Sequence, residues 1–271
     1  MIPNILDVLR KAIDSGAQVV MSKYGTDLVI STKSNPQDYV TQADIETQRA
    51  IQNSLIDQLT KLGIEKSEIG FIGEESLFET ARHLFIIDPI DGTSSFIKGN
   101  GEGAFCISIA YAFDQKITAG MVFDPLKEIY YSVHKGQGAY KATIDSREKL
   151  TIIDKNDLLD CAVGYNLGSD PVTKNEISLF GQKLQNNVAS LTRSHSCILT
   201  CISVCTNEFQ LIFSGKTFIW DVAVVQLLLE ESGGVLTDWG GNVLVLDFDK
   251  PNQHYKILAG NTKTITKILA L

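Results

Sequence analysis

With 271 residues, 44% of them hydrophobic and 21% charged, the chain has the make-up of one large globular domain or two small ones, which excludes intrinsic disorder. Its 24 lysines and arginines against 32 aspartates and glutamates leave a formal charge of −8 with no basic cluster, so no nucleic-acid polymer is expected as a partner. The opening MIPNILDVLR lacks the basic and apolar regions of a secretory signal, no window holds 18 apolar residues, and five cysteines make no disulfide scaffold; a cytoplasmic protein with no membrane partner is expected.

Residues 5–21 place Ile5, Leu6, Leu9, Ile13, Ala17 and Val20 at helical spacing. After Gly25 and Asn35-Pro36, Thr41-Gln-Ala-Asp44 has the form of a capping box with aspartate in the glutamate position. It opens a second helix with Ile45, Ile51, Leu55, Leu59 and Leu62 on its buried stripe. The apolar run 84–87, ended by Asp88-Pro89, reads as a buried strand. Residues 104–113, 117–123 and 129–133 follow as strands, and Gly136-Gln-Gly138 as a hairpin or strand end.

The pattern then alternates. Helices are predicted at 173–184, 196–205, 220–231 and 262–271, and strands at 188–191, 209–213, 235–237 and 257–259, with Gly233-Gly234 closing the third helix. Periodicity therefore predicts an α+β half, residues 1–145, and an α/β half, residues 146–271, in one compact body. Cys197, Cys201 and Cys205 would share one helix face; even with His195 nearby they lack zinc-site spacing and read as small buried hydrophobes.

Four acidic clusters stand at the ends of predicted elements: Asp44, the pair Glu74 and Glu75 in GEES, Asp88 and Asp91 in DPIDGT, and Asp221 in WDVA. Taken singly, Asp44 and Asp221 also read as helix caps, and the glutamates as a solvated pair. DPIDGT is different, because a turn needs its proline and glycine but not two aspartates and a threonine at the mouth of a buried strand. Two carboxylates and the Ile90 carbonyl in one turn suit a hard cation such as Mg²⁺. Gly92 lets a ligand approach closely, and a helix starting there would turn its free N–H groups towards an anion.

Other phosphate chemistries fail on spacing. Ser214-Gly-Lys-Thr217 has Gln210 where a P-loop needs glycine, and Gly101-Glu-Gly103 lacks the third glycine of a dinucleotide loop. No cysteine has an arginine six positions on, Asp247-Phe-Asp249 lacks the following threonine of aspartyl-phosphate phosphatases, and no G-x-S-x-G elbow occurs. Carboxylate–metal chemistry without a covalent nucleophile remains.

In order and spacing, DYVTQAD (38–44), GEES (73–76), DPIDGT (88–93), WD (220–221) and SGG (232–234) resemble the inositol monophosphatase superfamily of Mg²⁺-dependent, lithium-sensitive phosphomonoesterases. The resemblance implies a layered αβαβα sandwich of the inositol monophosphatase/fructose-1,6-bisphosphatase type, a small phosphate ester as substrate, and a homodimer. It implies that Glu74, Asp88, the Ile90 carbonyl, Asp91 and Asp221 hold two catalytic Mg²⁺ ions and that Asp44 belongs to a weaker third site. Thr93, bonded towards Asp44, would orient the attacking water, with Asp44 and Glu74 completing the catalytic set. Gly92 and Thr93 amides would hold phosphate, and Asp91 and Asp221 would border the substrate.

Specificity is where the chain departs from the family pattern. Many inositol monophosphatases have asparagine at the position of Ser95, a glutamate at that of Ser214, and small alanines where Ser196-Cys197-Ile198 follow Arg193. Residues 96–102 and 215–221 are similar to bacterial 3′(2′),5′-bisphosphate nucleotidases, although those often carry lysine or glycine where this chain has Ser94. The expected activity is hydrolysis of an inositol monophosphate or related polyol phosphate by metal-activated water, with adenosine bisphosphate as the alternative substrate.

Overall fold

A computed structural model describes residues 2–26, 30–32, 39–75, 77–101, 103–155, 157–168 and 170–271. Asp38, Ser76 and Glu102 of the motifs above, and Asn35-Pro36, lie outside the described residues.

Helices α1 (Ile5–Lys23) and α2 (Gln42–Lys61) flank a hairpin of β1 (Ile30–Thr32) and β2 (Tyr39–Thr41). The predicted capping box is present: Asp44 Oδ2 accepts from the Thr41 N–H at 2.8 Å, and Thr41 Oγ1 accepts from the Ala43 N–H at 3.1 Å. Such a cap typically contributes about 1 kcal/mol.

The first large sheet contains β3 (Ile69–Gly73), β4 (Leu77–Glu79), β5 (His83–Asp91), β6 (Cys106–Phe113), β7 (Lys116–Asp124), β8 (Ile129–His134), β9 (Gly138–Ala142) and β10 (Arg147–Lys149). Its order is β10-β9-β8-β7-β6-β5-β3-β4, antiparallel except where β3 runs alongside β5. A short helix, α3 (Thr93–Lys98), leaves the end of β5. The second sheet contains β11 (Ala162–Asn166), β12 (Ser190–Ser194), β13 (Leu211–Thr217), β14 (Val235–Thr237) and β15 (Tyr255–Gly260), in the order β12-β11-β13-β15-β14. Between its strands run α4 (Pro171–Leu184), α5 (Cys197–Cys205), α6 (Ile219–Ser232) and, at the end, α7 (Thr262–Leu269).

Strand alternation builds the layers. Phe85 and Ile87 of β5 pack with Leu9 and Ile13 of α1 and Leu55 of α2, whereas Leu84 and Ile86 turn to the opposite cluster with α5 and α6. In the second sheet Ile212, Ile257 and Ala259 face that same middle cluster, and Leu211, Phe213 and Leu258 pack with Ile177 of α4 and Ile265 of α7. The result is the αβαβα sandwich that the resemblance implied. Helix α6 lies between the two sheets and is apolar on all sides rather than along one face. Its fully buried Leu228 and Leu229 each stabilise the fold by about 1.5–3 kcal/mol.

Several elements differ from expectation. β3, β4, β10 and β11 carry no clear period and were not predicted. β12 begins at Ser190, two residues beyond the predicted 188, because pairing with β11 starts there while Val188 is spent on the outer core. β5 runs on through the whole Asp88–Asp91 motif instead of stopping before it.

Candidate metal centre

The motif stays in β5 by way of a bulge. Asp88 lies opposite Ser108 and Asp91 opposite Cys106, so three steps along β5 match two along β6. In a regular strand, residues three apart point to opposite faces; one extra residue brings both carboxylates to the same side. Pro89, with no N–H to give the ladder, is tolerated at such a place. The Ile90 N–H donates to Asp88 Oδ1 at 3.1 Å. Gly92 then turns the chain at φ 95°, and a Cβ there would meet the Ala104 carbonyl oxygen at 2.6 Å, so only glycine passes.

Asp221 arrives from the second half. It sits in the first turn of α6 and its Oδ2 accepts from the Phe218 N–H at 2.7 Å, so it caps the helix while also facing the centre. One carboxylate oxygen from each of Asp88, Asp91 and Asp221 lies within 4.8 Å of the others. Asp88 and Asp91 are buried and Asp221 is half-buried.

Asp91 is also gripped from α5. Its Oδ2 accepts from the Ser196 hydroxyl at 2.5 Å and the Ile198 N–H at 2.8 Å, and its Oδ1 from the Cys197 N–H at 3.1 Å. Burial pushes the Asp91 carboxyl up to about 6; these bonds pull against that rise, and the Glu74 charge adds to it. The Cys106 thiol, 3.8 Å from Asp91 Oδ2, is pushed well up by burial and then by the carboxylates of Asp91 and Asp88. Converging buried carboxylates of this kind are relieved by a cation, and an oxygen-only donor set suits a hard one. The residues present fit a divalent metal.

The remaining expected residues surround this trio. Glu74 follows β3, half-buried, with its N–H donating to the Ile87 carbonyl at 3.3 Å; it lies outside the 4.8 Å group, yet Asp91 feels its charge. Asp44 is fully buried, and Thr93 Oγ1 stands 3.4 Å from its Oδ1 and 3.0 Å from the Ile90 carbonyl oxygen. Ser214 is buried on β13, its carbonyl accepting from the Trp239 indole at 3.2 Å. Reasoning from sequence missed Ser196, Cys197 and Ile198 as partners of Asp91. The available signal was a serine just before an apolar run, an N-cap signature, and Ser196 Oγ does accept from the Leu199 N–H at 3.2 Å.

The profile of the inositol monophosphatase family matches residues 3–270. The chain belongs to that family. It is similar to the inositol-1-monophosphatase of Rhizobium meliloti, 29% identical over 262 residues that cover 95% of this chain and 91% of that one. It is also similar to the Nus factor SuhB of Pseudomonas aeruginosa, 27% identical over 273 residues, covering 99% and 95%. The crystal structure of the extragenic suppressor protein suhB from Bartonella henselae aligns with a TM-score of 0.83 at 25% identity, over 99% of this chain and 98% of that one. As a member of this metal-dependent phosphatase family, the chain is a phosphoric monoester hydrolase. Among the described residues, no helix is long and apolar enough to cross a membrane.

Proposed function

We propose that this enzyme hydrolyses an inositol monophosphate, or a related polyol or sugar phosphate, to the alcohol and inorganic phosphate with Mg²⁺ as its metal. The observation that carries the reading is the convergence of Asp88, Asp91 and Asp221 beside the Thr93–Asp44 pair. Glu74, Asp88, the Ile90 carbonyl, Asp91 and Asp221 would hold two ions, and Asp44 would serve a weaker third. Bound there, the ions supply charge neutralisation for the phosphate, a water of lowered pKa, and stabilisation of the entering and leaving oxygens.

The chain's own groups do the positioning. Thr93 has one hydroxyl proton, given to the Ile90 carbonyl or to Asp44, and its lone pairs then accept an O–H of the attacking water and aim it. The N–H groups of Gly92 and Thr93, at the start of α3 where no intrahelical acceptor exists, donate to phosphate oxygens. His195 precedes the Ser196 that grips Asp91; burial holds its imidazole below the ordinary value, and then the Arg193 and Lys98 cations do. Those cations give a chain of net charge −8 a local field that attracts an anion. A cytoplasmic homodimer completes the proposal.

Ser214 in place of glutamate, and the likeness of residues 215–221 to bisphosphate nucleotidases, support a second reading in which the ester is adenosine 3′,5′-bisphosphate. One panel separates the two. Mg²⁺-dependent phosphate release is compared on inositol 1-phosphate, sugar phosphates, histidinol phosphate and adenosine 3′,5′-bisphosphate. The polyol phosphates are expected to react fastest, with rates lost to a chelator and lowered by Li⁺ at fixed Mg²⁺, since accumulated cation charge retains product phosphate. A preference of about tenfold or more for the nucleotide, near 1.4 kcal/mol, selects the second reading.

A further inference from the structure

We infer that Gln48 is the positioning residue that ties the Glu74–Glu75 turn to helix α2 and thereby sets how well Glu74 serves a divalent cation, an inference that rests on the metal-dependent reading of this centre. Gln48 lies one turn beyond Asp44 on α2 and is 5% exposed. Its Nε2 donates to the Glu75 carbonyl at 3.1 Å, and its Oε1 accepts from the Glu75 N–H at 3.1 Å. One side-chain amide thus takes both backbone groups of one residue, the exchange by which hydrogen-bonded residues pair in an antiparallel ladder. The Glu75 N–H belongs to the peptide plane that begins at Glu74, so this pair fixes the backbone from which the Glu74 carboxylate extends.

The surroundings are built for that contact. A Cβ on Gly73 would lie 2.3 Å from Gln48 Oε1 and 2.9 Å from its Cδ, so glycine there makes room for the amide. From the other side, the Glu74 N–H is held by the Ile87 carbonyl on β5. The turn is therefore pinned between β5, which carries Asp88 and Asp91, and α2, which carries Asp44. A single helix sets the spacing between Asp44 and Glu74, two acidic groups otherwise supplied by separate segments.

Titration of the metal-free protein with Mn²⁺, followed by electron paramagnetic resonance of the free ion, tests this alongside thermal melts. Gln48→Met removes both bonds at nearly constant volume. Gly73→Ala expels the amide without altering Gln48, and it keeps the test open if the first variant folds poorly. Gln58→Met is the control, since Gln58 sits on the same helix but bonds the Val8 carbonyl and Ser54 instead. Gln48→Met and Gly73→Ala are each expected to weaken Mn²⁺ binding about tenfold, and Gln58→Met to lower the melting temperature with Mn²⁺ affinity unchanged. Wild-type affinity in a folded Gln48→Met or Gly73→Ala protein overturns the inference, as does equal weakening in Gln58→Met. Failure of the wild-type protein itself to bind Mn²⁺ removes the metal-dependent reading beneath it.

Discussion

Asp91→Asn is expected to lower kcat by on the order of 10²–10³-fold while the metal-free protein stays folded and melts at a higher temperature than wild type near neutral pH. The loss follows from removing one formal charge from three carboxylates whose oxygens lie within 4.8 Å of one another. A divalent ion held there would lose several kcal/mol of differential stabilisation of the phosphate in its transition state. The gain in heat resistance has the same origin, because without metal the charges repel in a buried place. Asparagine keeps one oxygen, which at the Oδ2 position still accepts from the Ser196 hydroxyl and the Ile198 N–H, so the link to α5 survives with only the Cys197 bond to Oδ1 lost. Phosphate-release kinetics and calorimetry on the same preparation check both halves. Activity within about tenfold of wild type would remove Asp91 from the metal set.

A second large effect concerns the pH dependence of the metal-free protein. In the folded chain Asp91 keeps its proton up to about pH 6, whereas the ordinary value of its carboxyl is 3.8. Between those values the folded state binds more protons than the unfolded one, so the Asp91 contribution to stability falls as pH rises through this window. Asp124, raised by burial, acts with the same sign. His83, His195 and His254 are lowered, each chiefly by burial, and act oppositely as pH falls through the ordinary imidazole range. The difference between wild type and Asp91→Asn isolates the aspartate. Their melting temperatures should nearly coincide at pH 4 and diverge by pH 7, with Asp91→Asn the higher. Saturating Mg²⁺ should raise the wild-type melting temperature far more at pH 7.5 than at pH 5. Parallel curves for the two proteins would mean that Asp91 is ionised throughout.

Much of the centre was legible in the sequence because its chemistry is concentrated in short motifs. Asp88, Ile90 and Asp91 lie within one turn, and Thr41 to Asp44 announce their own cap. The structural and functional readings of Asp44 and Asp221 proved compatible: each accepts a capping bond while facing the site. What sequence could not supply was the bulge, since the three-against-two register between β5 and β6 is a property of pairing, not of either strand alone. Nor could it supply the contacts of Asp91 with Ser196 or of Gln48 with Glu75, which join residues far apart in the chain through bonds with no local period. The all-round burial of α6 was likewise hidden, because only the second sheet covers the face that a one-sided helix would expose.

In the proposed reaction Asp88, Asp91 and Asp221 hold the divalent ions on which hydrolysis depends. Anomalous diffraction from crystals soaked in Mn²⁺ tests this most directly. The strongest anomalous peak is expected among these three carboxylates, at the coordination distance of a hard divalent ion, about 2.1 Å for Mg²⁺, with Glu74 turned towards it. A strongest peak elsewhere, with no density bordered by Asp88, Asp91 and Asp221, would contradict that role.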